Sequence, residues 1–361
     1  MTTYLQSQIA SVVPRTRAYL NARGPGHLLI NAFFPVEEKP LPPLDTLVLH
    51  DANDLHRWLG LQLENKRAFF QAREGLEDDF IPAMAPSFGY AEHTAWLGLD
   101  VLLQPTTSLA KPVYSDISEA PEKLAFSPDA PWVRLMRESY DWLRENQRGD
   151  FVLSVRGASS PMELANAMRG DDIFVDFLDE PDHCHRLIGA LTDLYPTYLN
   201  LLRSWCDPVE DGHILSSYLN VWMGPNAVGH LSNDAAMLCS SSIYEEFGFP
   251  YESRLLEHYD NAFYHVHSEK MHYLPLLTKL PNLRLVQVQD DPRVGPNMKN
   301  LDAIFAATNS VPLLLAGSPE EIYPQLDRLA DRNVYLRAYC ANRSEAEALV
   351  AVVRKKSKPL P

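Results

Sequence analysis

The chain has 361 residues, with 47 Asp and Glu against 32 Lys and Arg, a net charge of −15 and 46% hydrophobic residues. That length allows two or three domains of roughly 100–200 residues each or one large α/β barrel, and the composition is that of a soluble globular protein. An acidic chain whose longest basic run, Arg354-Lys355-Lys356, lies near its end is a poor ligand for a phosphate backbone, which argues against nucleic acid as a partner. The first residues, Met1-Thr-Thr-Tyr-Leu-Gln-Ser, lack the basic and apolar blocks of a secretory signal, and no run of about eighteen apolar residues predicts a membrane span. Cys184, Cys206, Cys239 and Cys340 show no CxxC spacing, so neither a disulfide framework nor a zinc finger is expected, and a cytoplasmic enzyme is.

In chain order, residues 1–26 read as an N-terminal helical extension, followed by a first strand over His27–Phe34. A second strand is expected at Asp79–Met84. Residues 87–150, broken by prolines at 105, 112, 121, 128 and 131, then form a long insertion of the kind that supplies lids and functional excursions. Phe151–Arg156 is the third predicted strand, and helices are expected at Pro161–Met168 and Pro181–Leu202, each with proline just inside its start. His213–Tyr218 is taken as the fourth strand, Ala262–His267 as the fifth, Arg284–Gln289 as the sixth, Val311–Ala316 as the seventh and Val334–Cys340 as the eighth. Helical spacing occupies Ser241–His258, Leu301–Ala307, Pro319–Ala330 and Ser344–Val353 between and after them. Strand followed by helix, eight times, predicts a single (β/α)8 TIM barrel over residues 1–361, with the helical extension and the insertion as additions. An open doubly wound sheet is the competitor, disfavoured because no glycine-rich turn follows any strand.

In such a barrel the chemistry gathers at the C-terminal ends of the strands. His265 and His267, two apart at the end of the fifth strand, share a face, and His-x-His is half of a transition-metal site. Two polar residues bonded to loops or solvent are the bland alternative. Alternation along the eighth strand places Val334, Leu336, Ala338 and Cys340 on one face, which is read as the barrel interior, so that Cys340 completes a three-ligand zinc site with an open fourth position. Asp234 is a candidate general acid or base, or equally an N-cap. Of Asp290 and Asp291 one is expected to reach the site and the other to cap its loop. Tyr218 and Trp222 either wall an apolar pocket or pack, and Arg156 pairs either with an anionic substrate group or with acidic loops. Asp234, Asp290 and Tyr218 are thus the candidate catalytic groups, and Arg156, Trp222 and Asp291 the candidate substrate contacts. His183 and His185, on a predicted helix, are read as surface residues.

Several segments resemble the uroporphyrinogen decarboxylase superfamily over residues 80–355. They are His230-Leu-Ser-Asn-Asp234, Ser242-Ile-Tyr-Glu-Glu-Phe-Gly-Phe-Pro250, Phe263-Tyr-His-Val-His267, Leu285-Val-Gln-Val-Gln-Asp-Asp-Pro292 and, upstream, Arg156–Ala165 with Phe174–Pro181. The resemblance implies a (β/α)8 barrel and divides into two branches. The porphyrinogen decarboxylases need no metal and grip their substrate with an arginine-rich N-terminal segment, which Asn31-Ala-Phe-Phe-Pro35 does not provide. The zinc methyltransferases, which move a methyl group between a corrinoid and an acceptor, carry His-x-Cys on the fifth strand and a Cys on the eighth. By this resemblance His265 and Cys340 are metal ligands, and His267 stands where the family has Cys. An imidazole there leaves the zinc more positive and a bound thiol more acidic but less nucleophilic.

The expected activity is therefore a zinc-dependent methyl transfer from a corrinoid to a thiol or similar acceptor. The corrinoid would arrive on a partner protein, since no corrinoid-binding module is visible, and a homodimer follows by analogy. A decarboxylase-like lyase, another metal-assisted reaction, and a non-catalytic barrel that binds a small ligand or a corrinoid protein are the alternatives.

Overall fold

Seven parallel strands form the central sheet of the computed structural model, which describes residues 3–22, 24–215 and 220–359. Their runs are rich in Val, Leu, Ile and aromatic residues and are buried on both faces, as strands flanked by helices must be. The strands in chain order are β1 (Leu28–Phe33), β2 (Ala83–Met84), β3 (Val101–Leu103), β4 (Ser108–Ala110), β5 (Val152–Leu153), β6 (Ala158–Ser159), β7 (Ile214–Leu215), β8 (Val221–Trp222), β9 (Ala227–Ser232), β10 (Asn261–His267), β11 (Leu283–Gln289), β12 (Leu313–Gly317) and β13 (Val334–Tyr339). The central sheet runs β1-β13-β12-β11-β10-β9-β6, and β2 pairs with β5 in a separate parallel ribbon. Single backbone bonds link that ribbon to its neighbours: Asp79 N donates to Ile30 O at 2.7 Å and Val155 N to Ile214 O at 2.9 Å.

Most predicted strands appear within one or two residues of their expected bounds; the fourth does not. The expected barrel strand His213–Tyr218 is not seen as such: Ile214–Leu215 turns back on Val221–Trp222 as an antiparallel hairpin and meets the third-strand region through a bridge from Leu215 to Val155. Residues 216–219 lie outside the described residues. The place beside β10 is taken by β9, whose sequence Ala-Val-Gly-His-Leu-Ser carries too few β-branched residues to be recognised. Gly229 is required there. A Cβ on it would stand 2.4 Å from the backbone oxygen of Phe263, so β9 and β10 approach closely only because that side chain is missing.

Six helices matter for the site: α1 (Thr3–Asn21), α2 (Ala52–Ala72), α3 (Pro131–Glu145), α4 (Pro161–Arg169), α5 (Ile173–Asp179) and α6 (Pro181–Ser204). From α1, Leu5, Val12 and Val13 share a buried cluster with Ile81 and with Ala83, Val152 and Ile214, the first residues of three strands, so the helix covers the N-terminal edge. The insertion folds into the β3–β4 hairpin, short 3-10 turns and α3. Trp132, Leu135, Met136, Tyr140 and Leu143 recur at helical spacing along α3 and are buried in the main core. The turn Tyr90–His93 from the same insertion runs beside β6 and α4. Among the described residues no helix is long and apolar enough to cross a membrane.

Candidate functional site

β10 ends with two histidines in the register that a strand imposes. His265 and His267 share one face, opposite Gln287 and Gln289 of β11. Each imidazole is held through Nδ1: His265 by Gln287 Oε1 at 2.9 Å, His267 by Asp291 Oδ1 at 2.9 Å. The Gln287 amide is itself oriented, because its Nε2 donates to Gln289 Oε1 at 3.0 Å, which leaves its oxygen for His265. Acceptors at both Nδ1 atoms favour the Nδ1–H tautomer on each ring and turn both Nε2 atoms toward the site. Those two nitrogens face each other at 3.3 Å, and Asp234 Oδ1 lies 3.7 Å from the Nε2 of His267. Three acceptor atoms, from Asp234, His265 and His267, thus lie within 4.8 Å of one another.

Asp234 begins the short helix Ala235–Leu238, but its side chain makes no capping bond and remains turned to His267. Its neighbour Asn233 is fixed by a buried cluster: Glu252 accepts hydrogen bonds from Tyr244 at 2.6 Å, Tyr264 at 2.6 Å and Asn233 Nδ2 at 2.8 Å. Tyr264 lies on the face of β10 opposite the histidines, so one carboxylate ties the strand to the loop that presents Asp234.

The other expected site residues scatter. Asp291 reaches His267, whereas Asp290 accepts from Asn297 N at 2.7 Å and organises its own loop, where burial raises its pKa. Tyr218 lies outside the described residues. Trp222 corrects its expected place on a substrate pocket: it is buried under α1, with Nε1 donating to Val209 O and Arg17 stacked on its ring.

Cys340 is corrected too. The opposite series of β13 faces the cavity: Arg337, registered beside Asn31, lines a cavity of 500 Å³, and Tyr335 reaches Asn31 Oδ1. Cys340 instead lines a recess with Phe33, Phe34 and Tyr339, outside the Asp234–His265–His267 group, and burial pushes its thiol up to about 11. A thiol so disposed is a weak candidate for a metal-bound thiolate.

Four residues that sequence reasoning did not single out join the site. His230, on the unrecognised strand β9, meets His265 edge-on with ring centroids 4.6 Å apart. His93, from the insertion, bonds through Nδ1 with Gly157 O at 2.7 Å. Burial, followed by the nearby positive charge of Arg156, lowers the pKa of His93 to about 3, and burial with the neighbouring His265 holds His230 well below the usual imidazole range. Glu163 of α4 accepts from Tyr90 Oη at 2.6 Å and from Ala235 N at 2.7 Å. Burial and the nearby Asp234 charge raise it to about 7. Glu163 was the most legible of the four, since it occupies the third position of a helix opened by Ser160-Pro161.

Arg156 borders a second region. It is ion-paired with buried Glu92, reaches Ser87 Oγ at 3.4 Å, and lines a cavity of 500 Å³ together with Lys66, Arg337, Phe33, Trp58 and Phe88. The mouth therefore has an imidazole and carboxylate side and a cationic, apolar side. No known family model matches the chain, and no curated protein is significantly similar to it.

Proposed function

We propose that the chain is a metal-dependent enzyme on a (β/α)8 barrel of uroporphyrinogen-decarboxylase type, with Asp234, His265 and His267 as the ligands of a zinc-class ion. The observation that carries this reading is the convergence of three potential ligand atoms, from Asp234, His265 and His267, within 4.8 Å of one another, two of them imidazole nitrogens 3.3 Å apart. Facing lone pairs repel unless a proton or a cation lies between them. Two imidazoles and one carboxylate are a common ligand set for catalytic metals that keep open positions. The set differs from the one expected from the sequence, with an Asp oxygen in place of the Cys340 sulfur. For the barrel, the support is the chain of backbone bonds that continues from β1 through Asp79, β2 and β5 to Val155.

A zinc-class ion bound there supplies Lewis-acid charge that lowers the pKa of an acceptor in its open position. The protein's own part is orientation. Asp291 and Gln287 hold the two imidazoles through Nδ1 so that Nε2 of each is aimed at the ion, the usual outer support of such sites. Glu163, raised to about 7, holds or releases a proton near neutral pH beside Asp234. Methyl transfer to a thiol, with the methyl donor a corrinoid on a partner protein, is the reaction that the resemblance supplies. The harder oxygen ligand widens the proposed class to metal-assisted activation of a thiol or of water. Four free cysteines support a reducing, cytoplasmic setting.

The test is metal content after equilibration with zinc and removal of excess. One equivalent is expected in the native protein and in Cys340→Ser, and none in His267→Ala or Asp234→Ala of native thermal stability. A native protein that retains no zinc, iron or manganese sinks the proposal. Metal lost in Cys340→Ser but kept in Asp234→Ala restores the ligand set read from the sequence.

A further inference from the structure

Lys66 and Arg337 are charges that the metal centre does not explain. Lys66 comes from α2 and Arg337 from β13, and both line the 500 Å³ cavity. Arg337 Nε is buried without a hydrogen-bond partner. Its guanidinium stacks near the rings of Phe33 and Tyr339, at 4.9 and 5.2 Å from their centroids, which fixes its plane without satisfying its N–H groups. Among the described residues no ion pair within 4.0 Å joins Lys66 or Arg337 to a carboxylate. The one acidic residue among those lining the cavity is Glu38, and Glu92 is already engaged by Arg156. Burial and the charges of Arg156 and Arg337 hold Lys66 below the usual ammonium range. Lys66 and Arg337 are half-buried, and of the lining carboxylates Glu38 alone offsets them, so the cavity keeps a positive balance that an anionic ligand would neutralise.

The geometry points to this cavity as the binding site of an amphipathic oxyanion, with a carboxylate or phosphate head between Arg337 and Lys66 and an apolar body against Leu44, Trp58 and Phe88. A guanidinium fork fits either head, and a volume of 500 Å³ is that of a small-molecule site. The apolar wall is rigid, because Trp58 Nε1 and Gln62 Nε2 both donate to Ser87 O, at 3.0 and 2.7 Å. Arg156 lines this cavity and also acts electrostatically on His93 and His230, so the oxyanion would lie next to the histidine cluster. Calling the ligand the substrate rests on the proposed function; its binding does not.

Calorimetric titration of the full chain with 4-phenylbutyrate, phenyl phosphate and the neutral 4-phenylbutyramide tests the assignment. At least one acid is expected to bind about tenfold or more tightly than the amide, and the tighter acid identifies the head group. Arg337→Met and Lys66→Met should each weaken that acid by about tenfold, with melting temperatures close to the native value to show that both fold. His267→Ala, which removes a proposed metal ligand, should keep the affinity for the acid, so the metal centre and the anion site fail separately. Binding of the amide as tightly as the acids overturns the assignment, as does no binding of either acid. Affinity unchanged in both methionine variants, or lost in a folded His267→Ala, overturns it as well.

Discussion

The two sides of the mouth differ in how their charges are satisfied. On the β10 side each imidazole has a named support, Gln287 for His265 and Asp291 for His267, and the Nε2 atoms converge with an Asp234 oxygen. On the β13 side Lys66 and Arg337 are donors without ion-pair partners among the described residues, set against aromatic walls. One side is complementary to a cation, the other to an anion. A net charge of −15 therefore says little about the ligand, because the cavity on the β13 side concentrates positive charge within an acidic protein.

The sharpest way to break this contrast is Glu92→Gln, which removes the partner that neutralises Arg156. Both side chains are largely buried, at 0% and 11% exposure, so the variant should lose about 3 kcal/mol in denaturant unfolding. Where it folds, a third uncompensated cation should tighten the acid that the cavity binds. A loss within about 0.5 kcal/mol would mean that Arg156 is not held by Glu92.

The pH dependence separates the sides next. Glu163 is raised from 4.5 to about 7, so its contribution to stability is complete below pH 4.5 and is lost as pH rises through about 7. In chelator-treated protein, Glu163→Gln should remove that decline, and the difference between native and variant unfolding curves isolates it. His93 acts in the opposite sense: lowered to about 3, it supports the fold above pH 6.5 and ceases to as pH falls from there toward 3. A native-minus-variant difference that is flat between pH 4.5 and 7 would contradict the buried position of Glu163.

Asp291→Asn keeps the shape but weakens the support of His267. Zinc affinity should fall by about 10- to 100-fold, measured by competition with a chromophoric chelator. An unchanged affinity would leave Asp291 as a loop residue only. The smallest effect belongs to Cys340→Ser: zinc content unchanged and stability lower by about 1 kcal/mol, from a buried apolar contact.

Much of the site is legible in the sequence. The run Phe263–His267 declares a strand by its aromatic and β-branched residues, and a period of two then puts both histidines on one face. The division of labour between Asp290 and Asp291 follows from their adjacency, since neighbours at a strand end point to different sides. His230 was not legible, because β9 holds a glycine and few β-branched residues and is a strand only where Phe263 allows its close approach. His93 and Tyr90 come from an insertion whose path no local pattern specifies.

The phase of β13 is the instructive failure. Val334, Leu336 and Ala338 are fully buried, but so is Tyr335 on the other face, because helices cover one side of the sheet and side chains fill the other. Apolar character then cannot tell which series faces the mouth, and Cys340 was assigned there in place of Arg337. By itself the sequence determined the alternation of strands and helices, the covered parallel sheet and the His-x-His pair, all of which depend on neighbours within a few residues. Tertiary structure alone decided which carboxylate joins the pair and which cations are left without partners, since both depend on contacts between segments 31 to 271 residues apart, as from Asp234 to His265 and from Lys66 to Arg337.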